Sequence, residues 1–117
     1  MNQVKTKITR DGKKNTVVMV WGEVDGEETL TVLDPSTSPD RPQGFKLDQI
    51  QYSCEAGVKV RIGWSGDGLV VPVEARGLLN YYQFDSLQPS EKGESLWVNV
   101  KGNGAFHLVL DCTKMGV

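Results

Sequence analysis

The sequence predicts an all-β fold, an antiparallel β-sandwich of about eight strands of the jelly-roll or another Greek-key type. Three observations predict it. Short runs alternate apolar and polar residues with a period of two, as half-buried strands do. Turn signals at Asp11-Gly12, Asp25-Gly26 and Gly102-Asn103-Gly104 separate those runs. No stretch joins helix caps to an amphipathic stripe, and residues 78–84 hold one helical turn at most.

The first run, residues 4–11, alternates Val4 and Ile8 with lysine and threonine. Residues 15–24 are apolar without interruption from Val17 to Trp21, which predicts a central strand covered on both faces. Asp25-Gly26 then reads as a tight turn. In residues 28–34, Leu30 and Val32 share one face, with Thr29, Thr31 and Leu33 on the other. Residues 34–44 hold three prolines and nothing to build a core, so they form a connection between strands. Residues 45–54 resume a strand, but Phe45 and Leu47 have opposite parity to Ile50, Tyr52 and Cys54. A β-bulge near Asp48 and Gln49, or burial on both faces, reconciles the two sets.

The most regular hairpin spans residues 54–77 around Ser65-Gly66-Asp67-Gly68. Val58, Val60, Ile62 and Trp64 share a face opposite Lys59 and Arg61. Leu69, Val71, Val73 and Ala75 match them across the turn, and Pro72 places the return strand at an edge or a bulge. Residues 77–94 form the longest irregular segment, rich in Leu78, Leu79, Tyr81, Tyr82, Phe84 and Leu87. A loop of that length carries function or covers something. Residues 95–101 and 104–114 close the fold, with Leu96, Val98 and Val100, then Phe106, Leu108, Leu110 and Cys112, facing inward. An immunoglobulin-type sandwich is the alternative, but Cys54 and Cys112 lack its tryptophan and tyrosine-corner context.

The 117 residues make a single domain, residues 1–117, with 38% hydrophobic and 24% charged residues. Thirteen basic against 15 acidic residues leave a net charge of −2, so no global attraction to nucleic acid or anionic lipid is expected. Lys5, Lys7, Arg10, Lys13 and Lys14 make the N-terminus locally basic. A solvated edge strand and turn accounts for them, and Lys5, Lys7 and Arg10 are also candidate contacts of an N-terminal arm. No apolar run approaches the roughly 18 residues of a membrane span. No apolar leader opens the chain, so synthesis in the cytoplasm is expected unless a signal has already been removed. A disulfide between Cys54 and Cys112 is one reading; two reduced, buried thiols is the expected one.

Catalytic, cofactor and metal sites are expected to be absent. His107, the single histidine, lies mid-strand opposite the core face, with no nucleophile placed to use it. The Asp25–Glu28 carboxylates lack the spacing of a calcium loop and read as a solvated turn. Glycines in "GWSGDG" and "GNG" join strand to strand, whereas a phosphate cradle feeds a helix. No carboxylate pair stands out as glycosidase-like. Among the aromatics, Trp64 has core parity, Trp97 points away from the Leu96/Val98/Val100 face, and Trp21 is a further candidate. Tyr81, Tyr82 and Phe84 on the long loop, with Trp97, are the candidate contact residues.

The order of segments is itself informative. "TRDGKKNTVVMVWGEVDG" leads to a Pro/Ser-rich connection, then "FKLDQIQYSCEAGVKVRIGWSGDGLVVPVEARG", the loop "FDSLQPSEKGE" and the closing "AFHLVLDCTK". Together with the I-x-Y-x(5)-V-x-V-x-I-x-W core, this pattern resembles small all-β virion structural proteins of tailed bacteriophages. The resemblance implies a capsid decoration, or cement, protein on the capsid surface. Its partners would be the major capsid protein and copies of itself, as a dimer or trimer. A head–tail connector or tail component is the second virion reading, and a carbohydrate- or ligand-binding sandwich the reading from another class. On the first, the hairpin of residues 54–77 is scaffold and the loop after it makes the contact.

Overall fold

A computed structural model describes residues 2–66, 70–81, 87–89 and 91–116. Two long strands organise it. β2 (Asn15–Leu33) and β7 (Leu96–Met115) pair antiparallel from Asn15↔Thr113 to Leu33↔Leu96. The first half of β2 and the second half of β7 carry β1 (Gln3–Asp11) on one side. On the other lie β3 (Gly44–Cys54) and then β6 (Arg76–Asn80), giving the order β1-β2-β7-β3-β6. The remaining halves run into a second layer, where β4 (Lys59–Trp64) pairs with β7 and β5 (Val70–Glu74) with β4. Strand β3 therefore neighbours β7 rather than β2 or β4, the non-sequential adjacency of a Greek-key sandwich. All pairings are antiparallel, and the described residues include no helix.

One core lies between the layers. Val18, Val20, Ile50, Leu108 and Leu110 from the first meet Val60, Ile62, Val71, Val73, Val98 and Val100 from the second. Trp64 is buried as its parity predicts, and its indole N–H donates to the Phe45 carbonyl at 3.0 Å, tying β4 to β3. The strand over residues 15–24 is central, between β1 and β7, but only one of its faces is fully covered. Val18 and Val20 are buried, while Val17, Met19 and Trp21 are half-buried.

Among the described residues, seven strands stand where the sequence suggests about eight. The turns expected at Asp25-Gly26 and Gly102-Asn103-Gly104 are bends inside continuous strands. The two sites lie opposite each other, Asp25↔Asn103 and Gly26↔Gly102, so both strands bend together and keep their ladder. Gly26 (φ 111°) and Gly102 (φ 131°) adopt conformations that only glycine occupies cheaply. Residues 76–80 form β6 rather than irregular loop or a helical turn, held by Tyr52↔Gly77 and Ile50↔Leu79. Ala75, at φ 66°, is the kink that takes the chain from β5 in one layer to β6 in the other.

Of the two accounts of residues 45–54, the bulge holds. The register steps from Leu47↔Cys112 to Gln49↔Asp111, leaving Asp48 as the extra residue. Its buried carboxylate accepts a 2.6 Å hydrogen bond from the Thr113 hydroxyl. The connection at residues 34–44 is organised by Asp34, whose carbonyl accepts from the Thr37 and Ser38 amides. Its Oδ1 accepts from the Ser36 amide and hydroxyl at 2.9 and 2.8 Å, an Asx turn. The hairpin of residues 54–77 is β4 paired with β5, and β5 is an edge strand as Pro72 requires. Asp67, Gly68 and Leu69 of its turn lie outside the described residues.

Cys54 and Cys112 are free thiols. Cys54 pairs with Phe106 and Cys112 with Leu47, so they sit six positions apart along the β3–β7 ladder. That is about 20 Å, far beyond disulfide reach. Burial, with smaller contributions from Asp48 and Asp111, pushes the Cys112 thiol well above its ordinary range. Burial first, and Glu74 second, also raise Cys54. At neutral pH an aromatic disulfide reagent should therefore label half-buried Cys54 slowly and Cys112 only on unfolding. Equal labelling rates in the native protein would contradict this burial.

Candidate functional site

The outer face of the second layer is four strands wide, in the order β2-β7-β4-β5. Strand alternation sends Glu27, Thr29 and Thr31 outward from β2, and Trp97, Asn99 and Lys101 from β7. It sends Lys59, Arg61 and Gly63 outward from β4, and Val70, Pro72 and Glu74 from β5. Register then stacks these residues in rows. One reads Glu27–Lys101–Lys59–Glu74, the next Thr29–Asn99–Arg61–Pro72, and the third Thr31–Trp97–Gly63–Val70.

The first two rows, Thr29 apart, line an open groove of about 540 Å³. Asn99, only 5% exposed, anchors one wall. Its amide nitrogen donates to Glu27 Oε2 at 2.9 Å and to the Thr29 hydroxyl at 2.7 Å, which fixes the carboxylate beside β7. Lys59, Arg61 and Lys101 line the middle and make no ion pair among the described residues. In chemical terms the groove offers three cationic donors between two carboxylates. Such a set of side chains can bind and orient a charged group, and no nucleophile–base pair stands among these lining residues.

The residues singled out in the sequence do not converge. Lys5, Lys7 and Arg10 are exposed on β1, one edge of the first layer. Tyr81 is half-buried just past β6, at the opposite edge, where its amide donates to the Asp48 carbonyl at 2.7 Å. Trp97 is half-buried on the second layer, and its indole N–H donates to the Trp64 carbonyl at 2.7 Å. Tyr82 and Phe84 lie outside the described residues. The start of the long segment is strand, and Leu87 bridges back to Leu47, so part of it covers β3. His107 is exposed between Trp21 and Ser53 in the ladder. Among the described residues, no three or more histidine, cysteine or acidic side chains could together hold a metal ion.

The groove residues were not among the sequence candidates. Asp25–Glu28 read as a solvated turn, yet Glu27 lies in a strand and forms a groove wall. Lys59 and Arg61 read as the solvent face of a scaffold hairpin. The available signal was the outward parity of Lys59, Arg61, Asn99 and Lys101, which gains meaning only once β4 is known to lie beside β7.

No protein-family profile and no curated protein matches the chain. Among solved structures, the chain is similar to a cupin superfamily protein from Desulfitobacterium hafniense DCB-2. The identity is 13% and the TM-score 0.41, over 97% of this chain and 78% of that one.

Proposed function

We propose that this chain is a non-enzymatic structural protein of a tailed-phage virion, a capsid decoration protein that binds and stabilises the shell of major capsid protein. One observation carries the reading furthest. The large apolar side chains exposed among the described residues are Ile8, Val70 and Leu78, and each lies on an edge strand, β1, β5 or β6. Edge strands offer unpaired backbone donors and acceptors, and proteins that act alone blunt or cover them. Open edges carrying apolar side chains suit a chain that works with neighbours on several sides, as a cement protein does with shell subunits and its own copies. The resemblance in strand and turn order supports the same reading. Repetition over a symmetric shell lets many modest contacts add up through avidity.

The test is co-sedimentation of the purified chain with phage particles depleted of it. Saturable pelleting at a fixed ratio to coat protein is expected, and no pelleting above background would end the proposal. The groove's volume favours a second reading as a ligand-binding sandwich, because small-molecule sites span about 300–1,000 Å³. Trp97 and Tyr81 sit in different layers and do not form one aromatic platform. Specific hits on a glycan array, without particle binding, would select this second reading.

A further inference from the structure

We infer that the groove on the second layer receives an extended acidic segment of the capsid partner, with carboxylates at alternate residues lying along β4. This inference rests on the decoration reading and names the chemistry of its partner.

Lys59 and Lys101 stand directly opposite each other on β4 and β7. Directly opposed like charges destabilise a sheet. Glu74 beside Lys59 and Glu27 beside Lys101 temper the repulsion, but, with Glu74 only a diagonal neighbour, Arg61 has no acid directly across from it. Its neighbours across the ladders are Asn99 and Pro72, both uncharged. Three cations against two acids leave the groove with a net positive charge, which an anionic occupant balances. A breach of local pairing rules on an exposed face marks a functional surface.

The spacing identifies the occupant. Lys59 and Arg61 project from the same face of β4, two residues and about 6.6 Å apart. An extended chain with acidic residues at i and i+2 repeats that distance, so each carboxylate meets one cation. Lys101 closes on the first of them from the neighbouring strand. The flanks set the limits. Glu27 and Glu74 stand three strand spacings apart, about 14 Å. A nucleic-acid duplex is wider and would press phosphates against both glutamates. A single extended peptide fits between them, and its own basic or N–H groups can meet the glutamates at either side.

The experiment uses particles depleted of the endogenous chain and the whole chain as wild type, K59A/K101A, R61A and K13A/K14A. Wild type should bind, and weaken as salt rises from 50 to 500 mM, as a rim of exposed charges dictates. K59A/K101A and R61A should each bind about tenfold more weakly or worse. K13A/K14A, whose exposed lysines lie in the β1–β2 turn of the first layer, should stay within about twofold, the scale of a distant rim charge. Thermal melting checks the fold, and K59A/K101A should melt within a few degrees of wild type, since it loses two opposite-charge pairs together with one like-charge pair. If wild type binds and both groove variants bind within twofold of it, the groove assignment is overturned while the decoration reading stands. If wild type itself fails to bind, both are overturned.

Discussion

Replacing Gly102 by alanine should cost about 3 kcal/mol and lower the melting temperature by roughly 10 °C. Two effects add. A φ of 131° is nearly forbidden to a residue with a side chain. A Cβ at this site would also come 2.2 Å from the Gly57 carbonyl oxygen, a backbone atom that cannot swing aside. Relief requires shifting the start of β4, which is pinned between β7 and β5. Two other glycines grade the effect. At Gly22 a Cβ would come 1.8 Å from the Gln3 carbonyl oxygen. Strand β1 is an edge, however, and can peel back locally, so G22A should cost less than G102A. At Gly26, φ is 111° and nothing lies within 4 Å, so G26A meets conformational strain alone, about 1 kcal/mol. Chemical denaturation of the three variants should rank them G102A, G22A, G26A. A G26A variant as damaging as G102A would mean that close packing at the bend is not what the glycine serves.

Lys114 carries the other large effect. Its side chain is 1% exposed, and its ammonium lies 2.6 Å from Asp11 Oδ1, 2.7 Å from Asp40 Oδ2 and 2.9 Å from the Gly12 carbonyl. It thereby fastens the β1–β2 turn and the connection at residues 34–44 to the end of β7. Burial pulls its pKa down, but hydrogen bonds and charge from Asp11 and Asp40 outweigh burial, so the net shift is upward from 10.5. K114A should cost about 2 kcal/mol, below the loss for a fully buried pair. The reason is that the two carboxylates are 37% and 44% exposed and hydrate once released. D11N/D40N should cost more, because it strands a buried ammonium without counter-charge.

The sign of the pH effect follows from linkage. Because the folded-state pKa is raised, the stabilisation is complete below the unfolded value near 10.5 and lost as pH climbs through the folded value. Wild type should therefore converge in stability toward K114M above about pH 10.5. A gap between them that stays constant through pH 11 would show that the ammonium's charge is not the source.

Much of the fold was legible in the sequence because strand parity is local information. The parity break between Leu47 and Ile50 led to the bulge at Asp48, and Pro72 led to the edge position of β5. The misreadings share a cause. Asp25-Gly26 and Gly102-Asn103-Gly104 carry the residues of tight turns, and only their pairing with each other turns both into bends. Residues 76–80 become a strand because the kink at Ala75 delivers them beside β3, a long-range event. The groove is the extreme case. Its lining comes from four strands, and no single run reveals that Arg61 and Asn99 face each other.

The central claim is that this chain belongs to a phage shell, and the most direct test is to count it. Quantitative mass spectrometry of purified particles gives its copy number against the major coat protein. The account predicts one copy per coat subunit or a simple fraction of it. A ratio of a few per cent would place the chain in a connector or tail ring, and its absence from particles would contradict the account outright.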